Sequence, residues 1–268
     1  MKAYVDTLRN KLLAIKLDSL SLWERVRGRT NTDDERSSGH PHPESLPRAT
    51  ERETAQSHAK RALIACGLLM LGAVWLGPLP QLARQAFFAH MLMHMGVVAV
   101  AAPVLALGFA GGRLDPARKL PWLFAPIQAS ILELVVVWAW HAPALHHLAR
   151  HHTEVLIIEQ GMFFGAGIFV WLSAFGGDAR SRRDRSAAGV VALLLTAMHM
   201  TLLGALLALS TRPLYSHVAG FASLTAIEDQ HLGGAIMLLI GGMSYLFGAL
   251  WLTVRLLRDP LLKTAEHS

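Results

Sequence analysis

From residue 62 onward the sequence is a succession of apolar runs, each about long enough to cross a bilayer, separated by short charged connections. A spanning helix needs about 20 predominantly apolar residues, because lipid offers the backbone no hydrogen-bond partner. Six runs meet that requirement: residues 62–79, 85–109, 122–141, 154–175, 187–209 and 229–257. Gly77, Pro78 and Pro80 end the first run. Pro103 predicts a kink in the second, and Pro126 falls early in the third. The chain reads as an all-α, polytopic membrane bundle of about six transmembrane helices.

Composition agrees with that reading. Charged residues are 16% of the chain and apolar residues 53%, whereas a soluble domain carries roughly 25% charged residues. The deficit is uneven. Residues 1–58 are polar and basic, rich in Ser, Thr and Pro over 30–55, and read as a disordered cytoplasmic tail whose residues 2–23 have a basic amphipathic pattern. Residues 59–260 form the membrane domain and 261–268 a short C-terminal tail. Residues 1–20 mix Lys, Asp and Arg with leucines and are not expected to act as a secretory signal. The formal net charge is +6, but the basic residues sit in connections rather than on an aromatic-interleaved surface, so the partner is the lipid bilayer and no nucleic acid is expected. The single cysteine, Cys66, excludes an intramolecular disulfide and a CxxC motif, leaving metal chemistry to His, Met and carboxylates.

Lys and Arg alternate from connection to connection. Lys60 and Arg61 precede the first run. Arg113, Arg118 and Lys119 follow the second, Arg180, Arg182, Arg183 and Arg185 follow the fourth, and Arg255, Arg258 and Lys263 close the sixth. The other three connections carry only Arg84, Arg150 and Arg212. The positive-inside rule then predicts both termini in the cytoplasm and the Lys/Arg-poor connections outside.

That topology gathers scattered polar residues at one depth. His90 and His94 enter early on the second run and share a helix face at i,i+4, with Met91, Met93 and Met95 around them. Glu133 lies late on the third run, ahead of Trp138, Trp140 and His141. Glu154, Glu159 and Gln160 begin the fourth; Met198, His199 and Met200 lie in the outer half of the fifth; Glu228, Asp229, Gln230 and His231 open the sixth. At about 1.5 Å per residue, His94 and His199 fall roughly 15 Å below the outer surface, Glu133 roughly 12 Å and Glu159 roughly 8 Å. Ionisable groups at such depths are costly and usually face the bundle interior, paired or functional. Any one histidine is equally consistent with an interhelical hydrogen bond, and a Met stripe with packing. Imidazoles beside thioethers, without cysteine, favour copper, and Cu(I) in particular, over zinc. His146, His147, His151 and His152 read as an outward, solvated loop that can collect metal ions at the surface.

Several stretches resemble, in order, the CtaG family of cytochrome c oxidase assembly factors: FFAHMLMHMGVVAVAAPVLALG with His90 and His94, WAWHAP around His141, IEQGMFFGAGIFVW, MHMTLLGALLALSTRPLY and EDQHLGGAIMLL. The resemblance covers residues 81–257. It implies a multi-pass protein of the bacterial cytoplasmic (inner) membrane that helps copper reach the catalytic subunit of a haem–copper oxidase, performs no catalysis, and docks on that subunit transiently. By matching position it implies metal or functional roles for His90, His94, His141, His199, Glu159, Asp229 and Gln230. In the family an acidic residue on the fourth span is often followed by His; here the pair is Glu159-Gln160, and His231, where Gln is often found, is a candidate to compensate.

The expected mechanism has copper entering from outside past the His-rich loop and Asp229–His231. His90, His94 and His199 then hold it, with Met93 and Met200 as thioether donors and Glu133 or Glu159 orienting an imidazole. The alternatives are a haem-binding membrane cytochrome and a desaturase-like di-iron enzyme, whose histidine boxes usually face the cytosol.

Overall fold

The computed structural model describes residues 45–178, 182–215 and 224–258. The chain divides into two units, residues 1–55 and 56–268, and the membrane bundle belongs to the second. The expected N-terminal tail up to residue 44 and the C-terminal tail at 261–268 lie outside the described residues.

Helix α1 runs from Ser45 to Leu76. It starts earlier than expected, and residues 45–58, assigned from the sequence to the tail, are helical. The reason is local: Glu51, Glu53, Ala55, Gln56, Ala59 and Lys60 are good helix formers that lead without a break into the apolar run. The short α2 (Leu79–Ala83) starts behind Pro78. Next come α3 (Phe87–Phe109), α4 (Pro116–Lys119), α5 (Pro126–Trp140), α6 (Pro143–His151), α7 (Thr153–Phe175), α8 (Arg182–Ala208) and α9 (Ala226–Leu257). Five of these are long and apolar enough to span, and α5 with α6, bent by 72°, is a sixth candidate when the pair is taken as one span.

The third crossing differs from the single helix expected over 122–141. Pro126 has no N–H to give a preceding turn, so it starts α5. The remaining 15 residues reach only about 22 Å, short of the roughly 30 Å of hydrocarbon. Pro143 then starts a second helix, and the stretch expected as an outward loop becomes α6.

Pro103 follows directly on an irregular stretch of α3. A π-helical segment, Gly96–Ala101, widens the helix just before it. Proline cannot donate to the carbonyl four residues back, which is Ala99. Ser244 on α9 supplies that donor instead, its hydroxyl 2.6 Å from the Ala99 oxygen. The Trp171 indole N–H donates to the neighbouring Val98 oxygen at 3.1 Å. A matching π segment, Met237–Gly241, lies in α9.

Small residues bring the backbones together. A Cβ on Gly234 would stand 2.5 Å from the Ala208 nitrogen and 2.7 Å from the Gly204 oxygen, so α8 and α9 touch backbone to backbone there. Leucines and isoleucines such as Ile157, Ile158, Leu202, Leu206 and Leu250 point outward, as a lipid-facing surface requires. At the Lys/Arg-rich end, buried Asp115 accepts from the N–H groups of Gly111, Ala117 and Gly177 at 2.7–2.9 Å and ties two connections together. Gly111 and Gly177 take positive φ, +67° and +93°, at those turns. The opposite end, where α3, α7 and α9 begin and α5 and α8 finish, holds the histidines.

Candidate metal centre

The start of α3 is fixed from another helix. Asp229, buried on the first turn of α9, accepts from Phe87 N–H at 2.7 Å and Phe88 N–H at 2.8 Å. Those donors are orphaned by helix geometry, and a carboxylate at a helix N-terminus is doubly favourable. With α3 so placed, His90 and His94 project on successive turns toward α7, their ring centres 4.3 Å apart. Both are buried, and both reach Glu159: His90 Nε2 lies 3.3 Å and His94 Nε2 3.6 Å from the same Oε1. The other oxygen, Oε2, has no hydrogen-bond partner among the described residues.

The protonation pattern of His94 follows from its neighbours. Trp75 Nε1, which can only donate, approaches Gln160 Oε1 at 3.4 Å. That orients the amide, so Gln160 Nε2 donates to His94 Nδ1 at 2.9 Å. His94 therefore carries its proton on Nε2, facing Glu159. The departure from the family pattern at Gln160 thus fills a definite role: it sets the tautomer of a histidine on α3.

His141, at the end of α5, shows the opposite pattern. Its Nδ1 donates to the Val137 oxygen at 2.7 Å, which leaves Nε2 as a lone pair. That lone pair points at Met91 Sδ, 3.4 Å away, and a thioether has no proton to give. Both atoms are therefore acceptors. First-row metal ions sit about 2.0 Å from imidazole nitrogen and about 2.3 Å from sulfur, which at a near-tetrahedral angle puts the donors about 3.5 Å apart.

The bend after α5 supplies a further histidine. His146 on α6 is buried, with its ring centre 4.7 Å from that of His90. His90, His146 and Glu159 can each offer one donor atom within 4.8 Å of the others. Aromatic rings close the cluster. Phe163 stacks on His94 at 4.1 Å, and Tyr215 lies 4.4 Å from His146 and 4.6 Å from Phe87. The Tyr215 hydroxyl donates to the His141 carbonyl at 2.7 Å. The tyrosine is 3% exposed, and burial raises its hydroxyl pKa, so it stays a donor.

Of the residues expected as ligands, the structure brings together His90, His94, His141 and Glu159, and separates the rest. Met93 points to the other side of α3, into a lateral cavity of 390 Å³ shared with Trp75, Arg84 and Gly161. Glu133 is about 12 Å further into the bilayer than His141, eight residues along α5. There it pairs with the Tyr245 hydroxyl. His199 belongs to that deeper level. Ser130 and Thr196 are in contact at 2.9 Å, and Glu133 and His199 lie one turn beyond them on α5 and α8. Met200 is buried beside Met95 against Gly241 of the α9 π segment. Asp229 caps α3, and His231 Nε2 meets the Ser210 oxygen at 2.8 Å, so neither faces the cluster and His231 does not replace a missing ligand. Gln230 accepts from Leu214 N–H at 2.7 Å, holding the connection between α8 and α9. The residues not expected in the cluster are Met91, His146 and Tyr215. His146 was in view as one of four loop histidines; the proline after the Trp-Ala-Trp-His-Ala run was the available sign that a new helix would turn it inward.

A family model described as cytochrome c oxidase caa3 assembly factor matches residues 46–259. No curated protein and no solved structure matches the chain.

Proposed function

We propose, from the premise that the chain belongs to the family of cytochrome c oxidase caa3 assembly factors, that it supports oxidase maturation by holding copper in its buried histidine cluster and handing it to the oxidase's catalytic subunit. The observation that carries the reading is the facing pair of His141 Nε2 and Met91 Sδ, 3.4 Å apart. An unprotonated imidazole nitrogen and a thioether sulfur at that spacing can both reach one ion, and a thioether beside an imidazole selects a soft ion such as Cu(I). His94, His90 and His146 stand around that pair as further donors. His94 can ligate through Nε2 only as the other neutral tautomer, with its proton on Nδ1 and the Gln160 amide turned to accept it. Metal binding at His94 is thus coupled to a tautomer change that release reverses, which keeps coordination exchangeable, as a carrier requires. The role is non-catalytic.

The cluster sits at the Lys/Arg-poor end of the bundle, which the positive-inside rule assigns to the outer side of a bacterial cytoplasmic membrane. Copper then arrives from the aqueous exterior and leaves toward an oxidase subunit docked in the bilayer, with both termini cytoplasmic. Purification without a polyhistidine tag, anaerobic Cu(I) loading, metal analysis and an optical spectrum test this directly. One tightly held Cu(I) per chain without a haem band is expected, lost in His141→Ala. A haem absorption band, or unchanged Cu(I) binding in His141→Ala, would refute the reading.

A further inference from the structure

Three of the four histidines of residues 146–152 lie on one helix and divide between its two sides. On α6, His146 and Arg150 are buried, whereas His147 and His151 are exposed, one turn apart on the outer face. Their ring centres are 4.2 Å apart with the ring planes at 48°. An imidazole ligating at about 2.0 Å has its centre about 3 Å from the ion, so two neighbouring ligands of one ion have centres about 4.5 to 5 Å apart. The His147–His151 pair needs only a small side-chain tilt to reach that spacing. A helix holds i,i+4 imidazoles on one face, so the backbone entropy of bringing two ligands together has already been met.

We propose that His147 and His151 form a surface site for a divalent, borderline transition-metal ion, Cu(II) above the others. Two exposed imidazoles without sulfur suit such an ion, and copper leads the divalent series. Water completes its coordination, so the ion is held openly and exchanges fast. The site stands on the geometry of α6 alone and does not require the buried cluster to bind metal. If that cluster does handle copper, α6 carries a capture site on its outer side and a buried donor, His146, on the adjacent residue. The 72° bend places both at the same end of the bundle.

The test uses the full-length protein in lipid nanodiscs, purified without a polyhistidine tag and titrated with Cu(II) under oxidising conditions. Binding is followed by equilibrium dialysis and by electron paramagnetic resonance. One Cu(II) with imidazole-nitrogen hyperfine structure is expected in the wild type. His147→Ala/His151→Ala loses that signal, and each single variant weakens binding by about tenfold or more, as loss of chelation requires. His90→Ala, which alters the buried cluster, keeps the signal. Retention of the signal in the double variant would overturn the proposal, and so would its loss in His90→Ala. Failure of the buried-copper reading is seen separately, in anaerobic Cu(I) loading, and leaves this result unchanged.

Discussion

At the scale of single residues, Met91 and Met93 make the sharpest comparison. On a helix of 3.6 residues per turn, Met91 lies about 60° past His94 and Met93 about 60° before His90, so the two flank the histidine face symmetrically. Only Met91 meets His141. Met→Leu conserves volume and costs less than about 1.5 kcal/mol in a packed interior. Met91→Leu is therefore expected to fold and to lose Cu(I) affinity by about tenfold or more, which corresponds to about 1.4 kcal/mol. Met93→Leu should bind like the wild type in the same chelator competition, and equal losses in both would remove the thioether from the mechanism. The sequence made His90, His94, His141 and Glu159 legible because polar residues at membrane depth are conspicuous. It could not choose between the methionines, because the choice depends on where α5 lies and nothing within α3 encodes that. Asp229 was expected as a ligand and is found capping α3 for a related reason: a buried carboxylate can hold a metal or cap a helix, and the cap is a partner 142 residues away. Asp229→Asn removes the charge and one of two acceptors at the start of α3. It should cost about 1–2 kcal/mol of stability, seen as a lower unfolding temperature in detergent, while copper bound per folded molecule stays unchanged. Copper lost at full stability would return Asp229 to the metal.

At the scale of elements, hydropathy located the spans well and misjudged their interruptions. The apolar runs gave α3, α7, α8 and α9 to within a few residues, because membrane length and apolarity are local properties of the chain. The π segments and the α5–α6 bend were not legible, because each depends on a donor or a neighbour from elsewhere, such as Ser244 for the Ala99 carbonyl. Glycine has the same double meaning. Gly161 and Gly234 look alike in sequence, yet a Cβ on Gly161 meets nothing within 4 Å, and one on Gly234 meets the backbone of α8 at 2.5 Å. Gly161→Ala should leave stability unchanged or raise it by up to about 1 kcal/mol through helix propensity. Gly234→Ala forces two backbones apart and should cost about 1–3 kcal/mol. Thermal unfolding of the two variants side by side decides it; a Gly234→Ala protein as stable as Gly161→Ala would mean that α8 and α9 do not pack through this contact.

At the scale of the whole molecule, the argument rests on which end of the bundle faces outward. Lys and Arg concentrate around residues 110–119 and 180–185, and the histidine cluster lies at the other end, where Arg84, Arg150 and Arg212 are alone in their connections. Two of those three do structural work: Arg150 donates to the Arg84 carbonyl at 2.7 Å, and Arg84 to the Thr153 hydroxyl at 2.9 Å. Single cysteines placed in a Cys66→Ser background at exposed, uncharged or acidic positions read the orientation without disturbing that asymmetry. Leu114→Cys and Asp184→Cys report on the Lys/Arg-rich end, Ala144→Cys and Thr211→Cys on the histidine end. A membrane-impermeant maleimide should label the second pair in intact cells and the first pair only after permeabilisation. The reverse pattern would open the cluster to the cytosol, where thiols compete for Cu(I), and copper would have to reach the oxidase from inside. The His141–Met91 geometry would survive that result, but delivery from the exterior would not.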